Sequence, residues 1–120
     1  HDVHGTKNNA QLWKPANKLC LDCHGPMSAN GPATATLEAH THHKDGSAGS
    51  ECIACHMPKI EAEGMPGVSV RAHTFRFITP DMTEKYKIPN ACTSCHTDKS
   101  TSWAKEQLRR WPEHSPWRTE

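Results

Sequence analysis

Apolar residues follow a clear helical period in one segment near the end of the chain. There they recur at i, i+4 and i+7, as Ala104, Leu108 and Trp111. This period predicts a helix over residues 98–111. Asp98 or Ser100 can cap its first turn. Arg109 and Arg110 lie in its last turn, where cations interact favourably with the helix dipole.

The rest of the chain carries short or weak patterns that glycine and proline interrupt. A short helix is expected to deliver Cys20, and a helical turn or two is expected over 33–43. Residues 44–50 are predicted to form a loop and 59–70 an exposed turn. Residues 68–78 alternate weakly between apolar and polar side chains, which predicts extended chain without a real sheet. The pattern therefore predicts a small, mostly irregular fold with a few short α-helices and little or no β-sheet.

Three copies of the pattern C-x-x-C-H occur in this irregular chain, at residues 20–24, 52–56 and 92–96. Their members are Cys20, Cys23, Cys52, Cys55, Cys92 and Cys95, which are all six cysteines, followed by His24, His56 and His96. Two thiols three positions apart can add to the two vinyl groups of one porphyrin, and the next residue can then ligate the iron from the proximal face. The motifs therefore predict three covalently attached haem c groups with iron.

Other uses of paired cysteines fit the pattern less well. A four-cysteine zinc site would use two motifs, leave the third without a partner and have no need for the repeated His. A thioredoxin-like redox motif would occur once, within a βαβ pattern that this sequence lacks. A disulfide framework is compatible with six cysteines but does not explain the His after each second Cys.

The composition indicates that haem supplies much of the interior. Of 120 residues 34% are hydrophobic, nine are proline and seven are glycine, and the mean hydropathy is −0.80. Such a chain buries too little apolar surface to offset its conformational entropy alone. We therefore expect a multihaem cytochrome c domain over residues 1–120, or an excerpt of a longer multihaem chain, that wraps its haems. Before haem attachment the chain should be largely unfolded.

Charge and hydropathy limit the partners and the location. The formal net charge is +1, which argues against nucleic acid, because nucleic-acid binding requires a basic excess. No stretch has the length of a transmembrane helix. Thioether attachment takes place outside the cytoplasm in bacteria, so a periplasmic or extracellular location is expected, with a signal peptide removed or the sequence being an excerpt.

Seven further histidines are available as second axial ligands: His1, His4, His40, His42, His43, His73 and His114. Ligation by two imidazoles gives a six-coordinate, low-spin iron suited to electron transfer. Methionine ligation is the alternative and would raise the potential. Met27, Met65 and Met82 stay open for that role, whereas Met57 directly follows a proximal His and cannot reach the opposite face of the same ring.

His73 is the strongest distal candidate, because its neighbours Phe75 and Phe77 could pack on a haem ring. In a helix, His40 and His43 would share one face, and they could serve one haem or two. The predicted distal iron ligands are His73, His40, His43 and His4.

The chain resembles the bacterial multihaem cytochromes with paired CxxCH motifs. That superfamily includes the tetrahaem electron carriers of hydroxylamine oxidation and the pentahaem nitrite reductases. The resemblance is carried by residues 2–5, 19–26, 37–43, 52–59, 71–80 and 89–103. The segment C-H-M-P-K, followed by an isolated His and another CxxCH, is similar to the last two haem motifs in the C-terminal region of nitrite reductase.

The resemblance implies closely stacked haems and a particular pairing of ligands. It implies that His73 serves an earlier haem and that one of His40, His42 and His43 serves the last haem. Catalytic members of the superfamily carry an open haem, usually ligated by the Lys of CxxCK. No CxxCK occurs here, which favours a carrier over an enzyme.

The expected function is therefore electron transfer by low-spin, bis-histidine haems, without enzymatic activity. The expected partners are other redox proteins or cytochromes, with self-association through haem-to-haem contacts as a further option. Two alternatives stay open. One is a redox enzyme module of the nitrite or hydroxylamine type with one open haem, and the other is a building block of a larger cytochrome assembly or filament.

The start of the sequence adds one more hypothesis. Residues 1–5 are similar to the sequence that follows Cys-x-x-Cys in this superfamily. His1 would then be the proximal ligand of a fourth haem whose cysteines lie upstream, and His4 a distal ligand. Alternatively, His1 is an ordinary N-terminus left by signal cleavage.

Overall fold

The computed structural model describes residues 1, 4, 7, 11–25 and 36–111. Its elements are α1 (Ala16–His24), α2 (Leu37–Thr41), a 3-10 helix (Ala48–Ser50), α3 (Cys52–His56), β1 (Lys59–Glu61), β2 (Ser69–Arg71), α4 (Pro80–Tyr86), α5 (Ala91–Cys95) and α6 (Thr101–Arg110). The predicted fold class of short helices, irregular chain and little sheet is confirmed.

The chain divides into two compact units, residues 1–53 and residues 54–120. Each unit is described by itself. The expectation of one domain over residues 1–120 stays a prediction.

Polar contacts hold the first unit together. The side-chain amide of Asn17, in the first turn of α1, donates to the carbonyl oxygen of Ser50 at 2.9 Å. The same amide accepts a hydrogen bond from the backbone N–H of Cys52 at 2.8 Å. Ser50 is 1% exposed, and its hydroxyl donates to the carbonyl of Ser47. The amide of Asn17 therefore fastens the start of α3 to α1, a contact we call the Asn17 clasp.

Helix α2 has five residues, which agrees with the helical turn or two that the sequence indicated. Thr36 caps its start by accepting from the N–H of Ala39 at 3.0 Å. His42 adopts a left-handed conformation, φ 56°, and terminates the helix after Thr41. The expectation that His40 and His43 share a helical face is therefore wrong, because His43 lies beyond the C-cap. Residues 33–35, where this helix was expected to begin, lie outside the described residues.

A small hairpin opens the second unit. Strands β1 and β2 pair antiparallel, with Lys59 opposite Arg71. The N–H of Ala72 donates to the carbonyl of Pro58 at 3.0 Å and so extends the pairing by one step. The sequence indicated an exposed turn here and no real sheet. Two three-residue strands flank that turn, in which Gly64 and Gly67 have positive φ, a conformation that glycine adopts without a steric cost.

Three helices around the third motif enclose an apolar core. Helix α6 contacts α4 and α5, and its Ala104 and Leu108 are 0% and 2% exposed. The period that predicted this helix thus also identified its buried face. Ser100, of the two predicted caps, accepts from the N–H of Trp103 at 3.1 Å, and the helix begins at Thr101.

Helix α4 was not predicted from the sequence. Thr79 caps it by accepting from the N–H of Met82 at 3.2 Å, and Pro80 occupies its first turn. Asp81 also lies in that turn, where a negative charge suits the helix dipole. The signal in the sequence was the succession Thr-Pro-Asp, since threonine caps helices and proline is favoured at the first helical position.

Candidate haem-attachment sites

Each cysteine pair lies on one helical turn. The first motif forms the last turns of α1, the second motif is α3 itself, and the third pair lies in α5. On a helix, residues three and four apart are neighbours, with Cβ atoms about 5–6 Å apart. Both thiols of a motif therefore face the same side of their helix, and the motif His of the first two motifs lies on that side as well.

The donor set fits covalent haem. All six cysteines are free thiols, which is the form that adds across a vinyl double bond. Cys23 and Cys95 are exposed, and the other four are partly buried. Every motif thus presents two S–H groups on one face with a His directly behind them, as attachment of one porphyrin per motif requires.

Burial raises the pKa of two of these thiols. Partial burial, followed by the nearby Cys20 thiol, raises the pKa of Cys52 to about 11. Burial is also the main cause that raises the pKa of Cys92. Both residues are therefore thiols rather than thiolates at neutral pH, because their ordinary pKa already lies above 7.

Aromatic rings contact two of the three motif histidines. The ring centroids of His56 and Phe77 are 6.4 Å apart and tilted by 56°. Those of His96 and Trp103 are 5.0 Å apart and tilted by 54°. His24, at the end of α1, is exposed. In the second and third motifs the imidazole orientation is thus supported by a residue downstream in the sequence.

Two of the predicted distal ligands share one hydrogen-bonding arrangement. Nδ1 of His43 lies 2.6 Å from the carbonyl oxygen of Thr41. Nδ1 of His73 lies 2.8 Å from the carbonyl oxygen of Arg71. A carbonyl only accepts, so Nδ1 carries the proton in each ring. In the neutral imidazole Nε2 is then the nitrogen with the lone pair, the atom that binds a metal.

Contacts near His43 and His73 hold their surroundings in place. The ring of His43 packs on Gly49 so closely that a Cβ at that position would overlap it. In the second unit, Arg71 donates from Nη1 to the carbonyl of Met57 at 2.9 Å. His73 lies two residues after the end of β2, near this contact, although the residue itself is exposed.

The remaining described histidine candidates lie in the first unit. His40 lies in the last turn of α2, and His4 and His42 are exposed. His114 and Met27 lie outside the described residues. The assignment of these histidines as iron ligands stays a prediction.

Sequence reasoning did not find Asn17 or Gly49. Asn17 contacts Ser50 and Cys52, which lie 33 and 35 positions further along the chain. Gly49 faces the ring of His43. Neither has a local signal, since an asparagine in a first helical turn and a glycine in a loop are both common.

Two further properties of the described residues bear on the site. No cluster of three or more His, Cys, Asp or Glu side chains in that part of the chain forms a site for a bare metal ion. None of the described helices is long and apolar enough to cross a bilayer.

The thiol pairs on helical turns define a protein that binds haem c covalently, with its iron, as small cytochromes do. More particularly, residues 1–29 match a family model described as a doubled CXXCH motif. This stretch contains the first motif and supports a multihaem c-type cytochrome motif. No curated protein and no solved structure matches the chain.

Proposed function

We propose that this protein is a multihaem electron carrier with low-spin, bis-histidine haems. One observation carries the proposal: three CxxCH motifs, each with its thiol pair on one helical turn, together use all six cysteines as free thiols. Haem c, when bound, supplies a one-electron iron couple whose potential the axial ligands and the surroundings adjust.

Different residues of the chain would attach the porphyrin, bind the iron and orient the ligands. Each thiol adds its S–H across one vinyl group, so that the porphyrin is bound through two thioethers. His24, His56 and His96 are the proximal ligands. Phe77 and Trp103 limit the rotation of two of these imidazoles, which favours one ligand orientation before attachment.

His43 and His73 are the distal ligands that the geometry favours. In both, a backbone carbonyl two residues upstream fixes the proton on Nδ1 and directs the lone pair to Nε2. Metal-bound histidines commonly donate their other N–H to such a group, which sets the tautomer and increases the basicity of the ligand. His40 and His4 are further candidates, and His1 as part of a fourth haem stays a prediction.

The proposed setting is the bacterial periplasm or the cell exterior, with other redox proteins or cytochromes as partners. The location is supported by the chemistry of thioether attachment. Cys23 and Cys95 are exposed, so two motifs have an attachment point at the surface. That arrangement suits electron exchange with a partner or with a second copy of the chain.

Intact mass of the mature protein tests the attachment. We expect a mass increase of three haems, and a loss of one haem for each pair of Cys→Ala substitutions, for example Cys92→Ala with Cys95→Ala. A mature protein that carries fewer than three haems would contradict the proposal.

Carbon monoxide tests the ligation. Six-coordinate, bis-histidine haems should bind it little, whereas a substantial fraction bound by the wild type would indicate an open haem and an enzyme. His43→Ala and His73→Ala should each create one haem that binds carbon monoxide. His42→Ala is the matched control within the same cluster. If His43→Ala behaves like this control, His43 is not a ligand.

A further inference from the structure

The imidazole of His43 contacts the backbone of the first unit at two places. Its Nδ1 lies 2.6 Å from the carbonyl oxygen of Thr41. Its opposite edge faces Gly49, where an added Cβ would overlap Cδ2 and Cγ and would lie 2.8 Å from Nε2. Only a residue without a side chain therefore fits beside the ring in this orientation.

Thr41 holds His43 by more than its carbonyl. The hydroxyl of Thr41 accepts a hydrogen bond from the backbone N–H of His43 at 3.2 Å and donates to the carbonyl oxygen of His43 at 3.3 Å. One residue thus fixes both the backbone of His43 and one nitrogen of its ring. The backbone at Gly49 limits how far the ring can turn about its side-chain bonds.

The position of Gly49 is itself fixed by the Asn17 clasp. Gly49 is the middle residue of the 3-10 helix. The next residue, Ser50, is 1% exposed, and its carbonyl oxygen accepts from the amide of Asn17 at 2.9 Å. The backbone that faces the ring of His43 is therefore tied to α1, the helix that carries the first motif.

The backbone conformation does not require glycine at position 49. Gly46, Gly64 and Gly67 have positive φ, whereas Gly49 does not. Alanine can adopt such a conformation, and it restricts the unfolded chain more than glycine does. The structure thus gives a steric reason for glycine here, which is the close approach of the His43 ring.

We propose that Gly49 is a positioning residue for His43 as an iron ligand. Because Gly49 has no side chain, the imidazole can take the orientation in which Thr41 holds Nδ1 and Nε2 is the nitrogen offered to the iron. This inference rests on the proposed function, in which His43 is a distal ligand. Gly49 acts only through the ring of His43.

Carbon monoxide binding by the mature protein tests the inference. Gly49→Ala adds a methyl group that must displace the ring, and overpacking of this kind should weaken the bond between His43 and the iron by roughly tenfold to a hundredfold. One haem should then bind carbon monoxide at a concentration at which the wild type binds little.

Ala48→Ser is the matched control for this experiment. It adds one atom to an exposed neighbour in the same 3-10 helix, so it should bind as little carbon monoxide as the wild type. If Gly49→Ala binds no more than Ala48→Ser, the inference is overturned.

A background without the ring separates positioning from a general effect on the fold. In His43→Ala nothing is left for the added methyl group to displace, so Gly49→Ala should leave the amount of bound carbon monoxide unchanged. In His73→Ala, which keeps the ring of His43, Gly49→Ala should open one more haem. An equal increase in both backgrounds would show that Gly49→Ala perturbs the fold and would refute the positioning role.

The same variants distinguish this inference from the proposed function. If His43→Ala opens no haem, His43 is not a ligand and the proposed ligation fails together with the inference. If His43→Ala opens a haem and Gly49→Ala does not, the ligation stands and only the role of Gly49 is refuted.

A measurement on the unaltered protein decides the matter even if Gly49→Ala fails to mature. In the reduced, diamagnetic protein the ring current of the porphyrin shifts the Cδ2 proton of a bound imidazole away from its usual resonance. We expect a nuclear Overhauser effect between one such proton and the α-protons of Gly49, detected with labelled glycine, because Gly49 faces Cδ2 of His43. Its absence, with both resonances assigned, would overturn the inference.

Discussion

The two units hold their cysteine motifs by different means. In the second unit, α5 carries the third motif and contacts α6, whose buried face consists of Ala104 and Leu108. In the first unit, the described residues that are buried are Gly25 and Ser50, and the Asn17 clasp fixes the helices. The third motif is therefore supported by packed side chains, whereas the first motif depends on hydrogen bonds.

This difference has an energetic consequence. A net hydrogen bond contributes about 0.5–1.5 kcal/mol, whereas a fully buried large apolar side chain contributes about 1.5–3 kcal/mol. The first unit should therefore depend more strongly on covalent haem for its stability than the α4–α6 region does. Any protection from amide exchange that exists before haem attachment should therefore be concentrated in α6.

The largest effect is expected at Leu108. Leu108→Ala leaves a cavity in the apolar core and should lower the free energy of unfolding by about 2–5 kcal/mol. Amide exchange should accelerate in α4, α5 and α6. Val70→Ala is the matched control, because Val70 is 48% exposed, and it should have little effect. If Leu108→Ala is as mild as the control, the core is not what holds the third motif.

A buried amide beside the third motif should give the next largest effect. Asn90 is 0% exposed, caps α5 by accepting from the N–H of Thr93 at 3.1 Å, and donates to the hydroxyl of Thr83 at 3.0 Å. Asn90→Ala removes both contacts and should cost about 1–3 kcal/mol.

Asn90→Asp separates these two contributions. The carboxylate keeps the cap but cannot donate to Thr83, so this variant should lie between Asn90→Ala and the wild type in thermal unfolding. A variant with Asp that is as unstable as the one with Ala would show that the bond to Thr83, rather than the cap, is the important contact.

Part of this architecture could be predicted from the sequence. The period of α6 identified Ala104 and Leu108, because a core face repeats at helical spacing. The motifs identified the thiols and their histidines by their spacing alone. Helix α4 was missed because it has seven residues, although Thr79 and Pro80 signalled its start. The clasp could not be predicted, because its partners meet only after the chain folds back.

The same substitution in the first unit sharpens the comparison. Asn17→Ala removes two hydrogen bonds to backbone groups and should cost the mature protein about 1 kcal/mol, because the covalent haems also restrain α1 and α3. Thermal unfolding beside Asn90→Ala measures the difference. A loss larger than that of Asn90→Ala would mean that the clasp, rather than haem, holds this unit together.

The smallest effect is expected from an ion pair between two helices of the second unit. Nζ of Lys105 in α6 lies 2.7 Å from Asp81 and 2.8 Å from Glu84, both in α4. The hydrogen bond to Asp81, followed by that to Glu84, raises the pKa of Lys105. The carboxylates are partly exposed, so solvent screens the attraction, and pairs of this kind stabilise proteins little.

The pH dependence of this ion pair gives the sharper test. Because the pKa of Lys105 is higher in the folded chain, its contribution is complete below the ordinary pKa of lysine, about 10.4. It is lost as the pH rises through the folded value. The difference in melting temperature between wild type and Lys105→Met should thus be constant from about pH 7 to 9 and shrink above about pH 10. Lys99→Met is the control, since its partner Asp98 is a sequence neighbour and the pair joins no two helices. If the two variants show the same pH profile, Lys105 does not tie α6 to α4, and the packing of Leu108 alone distinguishes this region from the first unit.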